Sequence, residues 1–228
     1  PLKGNFNQIL KLKKLNPALR VLISLGGWTE SYRFSDVALP ANREAFVTSC
    51  IDMFVKGNVG TGISAAGVFD GIDVDWEYPG LPGDGNVHRP EDKENFTALM
   101  AELRTALDAA APKGRPRPLL TFAAGAFADF VAHTEMAKVA AVVDYVNLMT
   151  YDFRVQGADP VAGHHANLRP SPLDDRRRSV DGEVRAFLKE ALPKVKTEDR
   201  FASWNTFSPE FSKALGKKGW IGITWPKQ

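Results

Sequence analysis

Cysteine is almost absent from the 228 residues. Cys50 stands alone, which excludes an internal disulfide framework and a zinc site built on several cysteines. No apolar run approaches the roughly 18 residues of a membrane span. Neither sign of charge prevails: 29 Lys and Arg face 27 Asp and Glu, for a formal net charge of +2. The basic residues are dispersed and leave no electrostatic footprint for nucleic acid. There is no Pro/Ser-rich linker, short repeat or low-complexity tract. Pro1-Leu2-Lys3-Gly4-Asn5 leads into no long apolar stretch, so no signal peptide is expected there; a trimmed secreted protein would look the same. What is present suits one folded domain, with 44% hydrophobic and 25% charged residues, enough to build a core and too much to leave the chain disordered.

Apolar runs of strand character alternate with helical stripes. Residues 6–15 carry Phe6, Ile9 and Leu10, with Leu12 a candidate for the same stripe, and Pro17 ends the helix. Residues 20–27 read as a buried strand closing on glycines. A helix is expected over 43–56 with Phe46, Cys50, Met53 and Phe54 at helical spacing, which makes Cys50 a core thiol. Further strands are expected at 67–77, 118–125 and 143–151. The clearest helix, 91–111, puts Phe96, Leu99, Met100, Leu103 and Leu107 on one face. Helices are also expected around 134–142, at 179–191 with Ser179 as its cap, and from Ser208-Pro209. A last strand is read at 219–225. Such alternation argues for parallel strands with helices outside, as a barrel or a doubly wound sheet. The longest irregular stretch, 154–178, follows a strand end, where barrel enzymes carry functional loops. Within it, Arg176-Arg177-Arg178 reads as solvated surface, and the adjacent His164 and His165 read as surface loop rather than metal ligands.

The most informative segment is Asp70-Gly71-Ile72-Asp73-Val74-Asp75-Trp76-Glu77-Tyr78-Pro79. Side chains alternate faces along a strand, so Asp73, Asp75 and Glu77 share one face and Ile72, Val74 and Trp76 the other. The apolar set can pack on helices, and the acids then point inward. Successive acids lie about 6.6 Å apart along the strand. Carboxylates that close cannot all ionise freely, so at least one should hold its proton to higher pH, as a general acid must. Asp70 has the opposite parity to Glu77 and is assigned no catalytic role. An EF-hand calcium loop is excluded, because Tyr78 stands where that loop needs glycine, and Val74 and Trp76 stand between the acids. A magnesium site would lack the phosphate-cradling glycine loop that usually accompanies it.

The segment resembles the D-G-x-D-x-D-W-E-Y-P signature of glycoside hydrolase family 18, the chitinases. Ser24-Leu25-Gly26-Gly27-Trp28 is similar to the family's S-x-G-G strand end, and Met149-Thr150-Tyr151-Asp152 to its M-x-Y-D strand end. Trp225 falls where the family has a tryptophan on its last strand. The resemblance implies a (β/α)8 TIM barrel with its site at the C-terminal ends of the strands. Five strands match, the third to sixth and the eighth; strands 1, 2 and 7 are not found. Nor are the family's Y-x-R motif and small α+β insertion. The expected organisation is therefore one partial catalytic barrel over 1–228, with a segment omitted between about 192 and 208.

The resemblance also implies roles. Glu77 donates a proton to the glycosidic oxygen. Asp75 orients the substrate's acetamido group, Asp73 tunes Asp75, and Tyr151 acts beside them. Gly26, Gly27, Trp28, Thr29, Tyr78, Met149, Thr150, Asp152 and Trp225 match substrate-contact positions. The family is among those whose nucleophile is the substrate's own acetamido oxygen rather than a second carboxylate. The implied activity is a chitinase, endo-acting on β-1,4-linked N-acetylglucosamine. It would be a secreted monomer acting on chitin or chito-oligosaccharides, with no metal, cofactor, nucleic acid or membrane. Alternatives are an endo-β-N-acetylglucosaminidase acting on N-glycans and a non-catalytic chitin-binding lectin. Such lectins typically lose an acid of the motif, and this chain keeps all of them.

Overall fold

The computed structural model describes residues 2–191, apart from 112, 115, 156 and 157. The chain enters on helix α1, Gly4–Leu15, which stops before Pro17. Strand β1, Ile23–Gly26, follows. A 3-10 turn at Ser31–Arg33 leads into the short α2, Phe34–Val37, and then α3, Pro40–Cys50, which opens on its proline. A π turn, Ile51–Val55, prolongs it. Strands β2, Asn58–Gly60, and β3, Ile63–Ser64, form a small antiparallel hairpin that periodicity did not reveal. Then come β4, Gly71–Asp75; α4, Asp92–Ala109; and β5, Leu119–Gly125. Two short helices, α5 at Ala128–Ala132 and α6 at Met136–Val139, precede β6, Tyr145–Met149. Helix α7, Val180–Ala191, closes the described chain.

The four long strands form one parallel sheet in the order β1-β4-β5-β6. Register sets Ser24 beside Asp73 and Asp73 beside Thr121 in one row. Ile72, Val74 and Trp76 on β4 and its extension are fully buried, as are Leu120 and Phe122 on β5. They meet the apolar face of α4, where Phe96, Leu99, Met100, Leu103 and Leu107 are all buried. Trp76 stacks on Phe34 at 5.5 Å and meets Phe96 edge-on at 6.0 Å; Phe96 in turn meets Phe122 edge-on. Each such side chain contributes about 1.5–3 kcal/mol when fully buried, so this layer holds β4 flat against α4 and leaves its acidic face turned the other way.

Some expectations shift. The buried stripe of α3 and the π turn is Val47, Cys50 and Ile51, while Met53 is exposed. Cys50 is indeed a core thiol, pushed by burial up to about 11. The helix expected at 134–142 is instead α5 and α6, split where buried Thr134 turns its hydroxyl back onto the Phe130 carbonyl. Arg176 and Arg177 are exposed, as expected of a solvated surface, and Arg178 is half-buried. Arg176 pairs with Asp159 at 3.1 Å, and Arg178 pairs with Glu183, donates to the Ala126 carbonyl and lies 4.6 Å over the Phe153 ring. Ser179 does cap α7, accepting the Gly182 N–H at 3.1 Å. The helix from Ser208, the strand at 219–225 with Trp225, and the expected omission near 192–208 lie outside the described residues.

Candidate active site

The site begins with the twist of one strand. β4 turns Asp73, Asp75 and, just past its end, Glu77 away from α4. Asp73 is the fixed member. Ser24 on β1 donates to its Oδ2 at 2.9 Å; Thr121 on β5 and Asn147 on β6 donate to its Oδ1 at 2.5 and 3.0 Å. Three other strands of the sheet thus converge on one carboxylate. Asn147 has the parity of Met149 and Tyr151, so its bond identifies the face of β6 that looks toward the acids.

Asp75 is the free member. Its Oδ1 is buried and meets no hydrogen-bond partner among the described residues. Burial first, and then the charge of Asp73, raise its carboxyl above the usual range. Glu77 is raised as well, by burial and then by the charge of Asp75; the Tyr78 hydroxyl pulls the other way, and Asp152 adds to the rise. An acid so placed keeps its proton to higher pH than an ordinary carboxylate and can give it up to a nearby oxygen. The crowding that alternation predicted is therefore present.

The strand ends are joined by a residue that pattern reading missed. Ser31, fully buried, accepts the Glu77 N–H at 2.9 Å. Its hydroxyl lies 2.8 Å from the Gly27 carbonyl and 3.0 Å from the Asp75 carbonyl. The Gly27 N–H also donates to the Asp75 carbonyl at 2.8 Å. Gly26 and Gly27 have φ of 110° and 97°, and a Cβ at Gly26 would collide with the Asp75 carbonyl and the Phe34 ring. Only glycine lets β1 run this close to the acidic strand.

Aromatic rings surround the acids. Trp28 is half exposed and meets Tyr78 edge-on at 6.5 Å. Tyr78 packs on Phe127 and Phe130, and its phenol is raised by burial and by Glu77. The Glu77–Tyr78 peptide is cis. Tyr151 is 47% exposed, and its phenol is raised by burial and then by the charges of Asp75 and Glu77. Met149 and Thr150 are half-buried at the end of β6, level with Gly125, and Thr29 is exposed in the turn after β1. Asp152 has φ of 54°, a left-handed conformation that aspartate tolerates better than most residues. His164 and His165 are exposed, as expected of a surface loop, and His165 also stacks on Tyr151. Asp70, left without a catalytic role, faces Lys13, Arg20 and the Val21 N–H at the opposite end of the strand. Among the described residues, no group of three or more His, Cys, Asp or Glu is placed to hold a metal ion.

The family model for glycosyl hydrolases family 18 matches residues 2–206. The chain belongs to this family. Among curated relatives, chitinase A1 of Niallia circulans is 49% identical over 175 residues, covering 75% of this chain and 23% of its own length. Chitotriosidase-1 of Mus musculus is 35% identical over 229 residues, covering 95% of this chain and 44% of its own. Among solved structures, the catalytic domain of the psychrophilic chitinase B from Arthrobacter TAD20 superposes with a TM-score of 0.78 at 38% identity, over 83% of this chain and 47% of that one. This family 18 chain therefore spans less than half the length of these relatives. Its four-stranded parallel sheet is an arc of the (β/α)8 barrel.

Proposed function

We propose that this chain carries the catalytic strand of a chitinase that hydrolyses β-1,4 bonds between N-acetylglucosamine units by substrate assistance. The observation that carries the reading is the contrast between Asp73 and Asp75. The first has three donors, and the second presents a buried, unpartnered Oδ1 beside a protonatable Glu77. A buried acceptor without a donor costs free energy unless a ligand supplies one, and an acetamido N–H does so.

In this reading Glu77 protonates the glycosidic oxygen as the bond to the leaving sugar breaks. The acetamido oxygen of the sugar before the break attacks the anomeric carbon. Asp75 accepts the acetamido N–H and steadies the cyclic, positively charged intermediate, and Tyr151 donates its hydroxyl to the acetamido oxygen. Water then opens the ring and returns a proton to Glu77, so the anomeric configuration is retained. A retaining enzyme with its own nucleophile would need a carboxylate about 5–5.5 Å from the acid across the bond; Asp75 lies on the same strand face as Glu77, beside it. Trp28, Tyr78, Met149 and Asp152 line the sugar's path, with Gly26 and Gly27 leaving room for it. The substrate is chitin or its oligomers, met outside the cell by a monomer.

The test compares matched acetylated and deacetylated oligomers on the full chain and on Glu77→Gln. Expected are retained product anomers from the acetylated oligomer and no cutting of the deacetylated one. Glu77→Gln should lose at least roughly 10²–10⁴-fold in rate while still binding. Equal rates on both substrates, or inverted product, would overturn the mechanism. Binding without turnover by the unaltered chain would favour the lectin alternative.

A further inference from the structure

The loop after β6 leaves the site at Asp152 and returns to it at His165. The His165 imidazole lies nearly parallel to the Tyr151 ring, with an interplanar angle of 12° and centroids 6.3 Å apart. Its Nδ1 is 3.4 Å from Asp152 Oδ1. Its carbonyl accepts the Phe153 N–H at 2.9 Å, so the backbone fixes the residue's height along the strand end. Phe153 is itself fully buried beneath the Arg178 guanidinium. Further out, Arg154 reaches across to Asp174, Asp175 and Asp159, pinning the two limbs of the loop together. Within this frame the His165 side chain stays 61% exposed.

We propose that His165 is a positioning residue of the site: with its Nδ1 facing Asp152 at 3.4 Å, its ring stacks beside Tyr151 and fixes where the phenol stands relative to Asp75 and Glu77. The inference rests on the chitinase reading for its effect on turnover, but its geometry can be tested without turnover. Tyr151 is 47% exposed, and a ring stacked beside it forms one wall of its position. The imidazole supplies that wall, and the carboxylate of Asp152 sets which edge of the imidazole points inward. Which ring nitrogen carries the proton follows from the hydrogen bond the ring makes. A proton on Nδ1 directed at Asp152 leaves Nε2 as an acceptor.

The experiment has two arms on the full chain. In the first, ¹⁵N-detected NMR reads the tautomer of His165 near pH 8, where an ordinary imidazole is neutral. The Nδ1–H form should predominate in the unaltered chain. It should give way to Nε2–H in Asp152→Gly, which removes the carboxylate and tolerates the left-handed backbone. A majority of Nε2–H in the unaltered chain would overturn the proposal. In the second arm, His165→Ala should lower kcat on acetylated oligomers by roughly tenfold or more, with KM changed far less, since misplacement of a reacting group falls on the chemical step. His165→Phe keeps a ring over Tyr151 and should recover most of that loss. Equal damage in both variants at matched unfolding midpoints would refute the stacking role. If the unaltered chain turns over no substrate at all, the chitinase reading fails, and the tautomer arm still decides whether Asp152 holds His165.

Discussion

Asp73 and Asp75 differ by two positions on one strand, yet they behave as opposites. Asp73 is enclosed by donors from three strands, whereas Asp75 holds a buried oxygen in reserve. That reserve costs stability. Because burial and neighbouring charge raise Asp75 and Glu77 in the folded state, the unfolded chain releases these protons first as pH rises. Their destabilising effect is therefore absent in acid, where both states hold the protons, and complete once pH exceeds the folded values. Asp75→Asn and Glu77→Gln should each raise the unfolding temperature at neutral pH. The gain should shrink as pH falls to about 4, the ordinary carboxylate range. Calorimetry across that range checks it, and a gain that persists undiminished in acid would mean packing rather than charge is responsible.

At the scale of elements, one hydroxyl ties the end of β4 to the turn after β1, beyond the ladder that pairs the two strands. Ser31→Ala would leave the Glu77 N–H without its partner and take the hydroxyl from the Gly27 carbonyl, while the Asp75 carbonyl keeps the Gly27 N–H. An unsatisfied buried group costs about 1–3 kcal/mol, and the loosened backbone carries the proposed proton donor. Denaturant unfolding should show that loss, accompanied by a fall in kcat. Unchanged stability would mean that water replaces the hydroxyl there. Little of this junction was legible beforehand. The period-two pattern exposed the acidic column because strands obey it, and α4 was plain because five large residues share its stripe. Asn147 could have been found from its parity with Met149 and Tyr151, and Thr121 from the same alternation on β5. Ser31 and His165 carry no periodicity. Each sits where the chain is irregular, and their partners are 46 residues away in one case and 14 in the other.

At the scale of the whole molecule, the sheet has a graded interior. β4 and β5 have hydrogen-bonded neighbours on both sides, whereas β1 and β6 each have one among the described residues. Hydrogen exchange should therefore be slowest in β4 and β5 and faster in β1 and β6, because strand edges open before the middle. Mass spectrometry of peptic fragments would show it. Protection of β6 equal to that of β4 would mean that another segment pairs with that edge.

The row formed by Ser24, Asp73 and Thr121 depends on the alignment of three strands at once. A slip of one residue turns every side chain of a strand to its other face. β1 slipped in this way would present Leu25 to Asp73 in place of a hydroxyl, and β5 would present Leu120 or Phe122. A mispaired molecule thus forfeits the donors that fix Asp73 together with its core. Under the proposed function, turnover per mole becomes a census of correctly aligned sheets, and in a soluble preparation a shortfall in specific activity would measure the misaligned fraction directly.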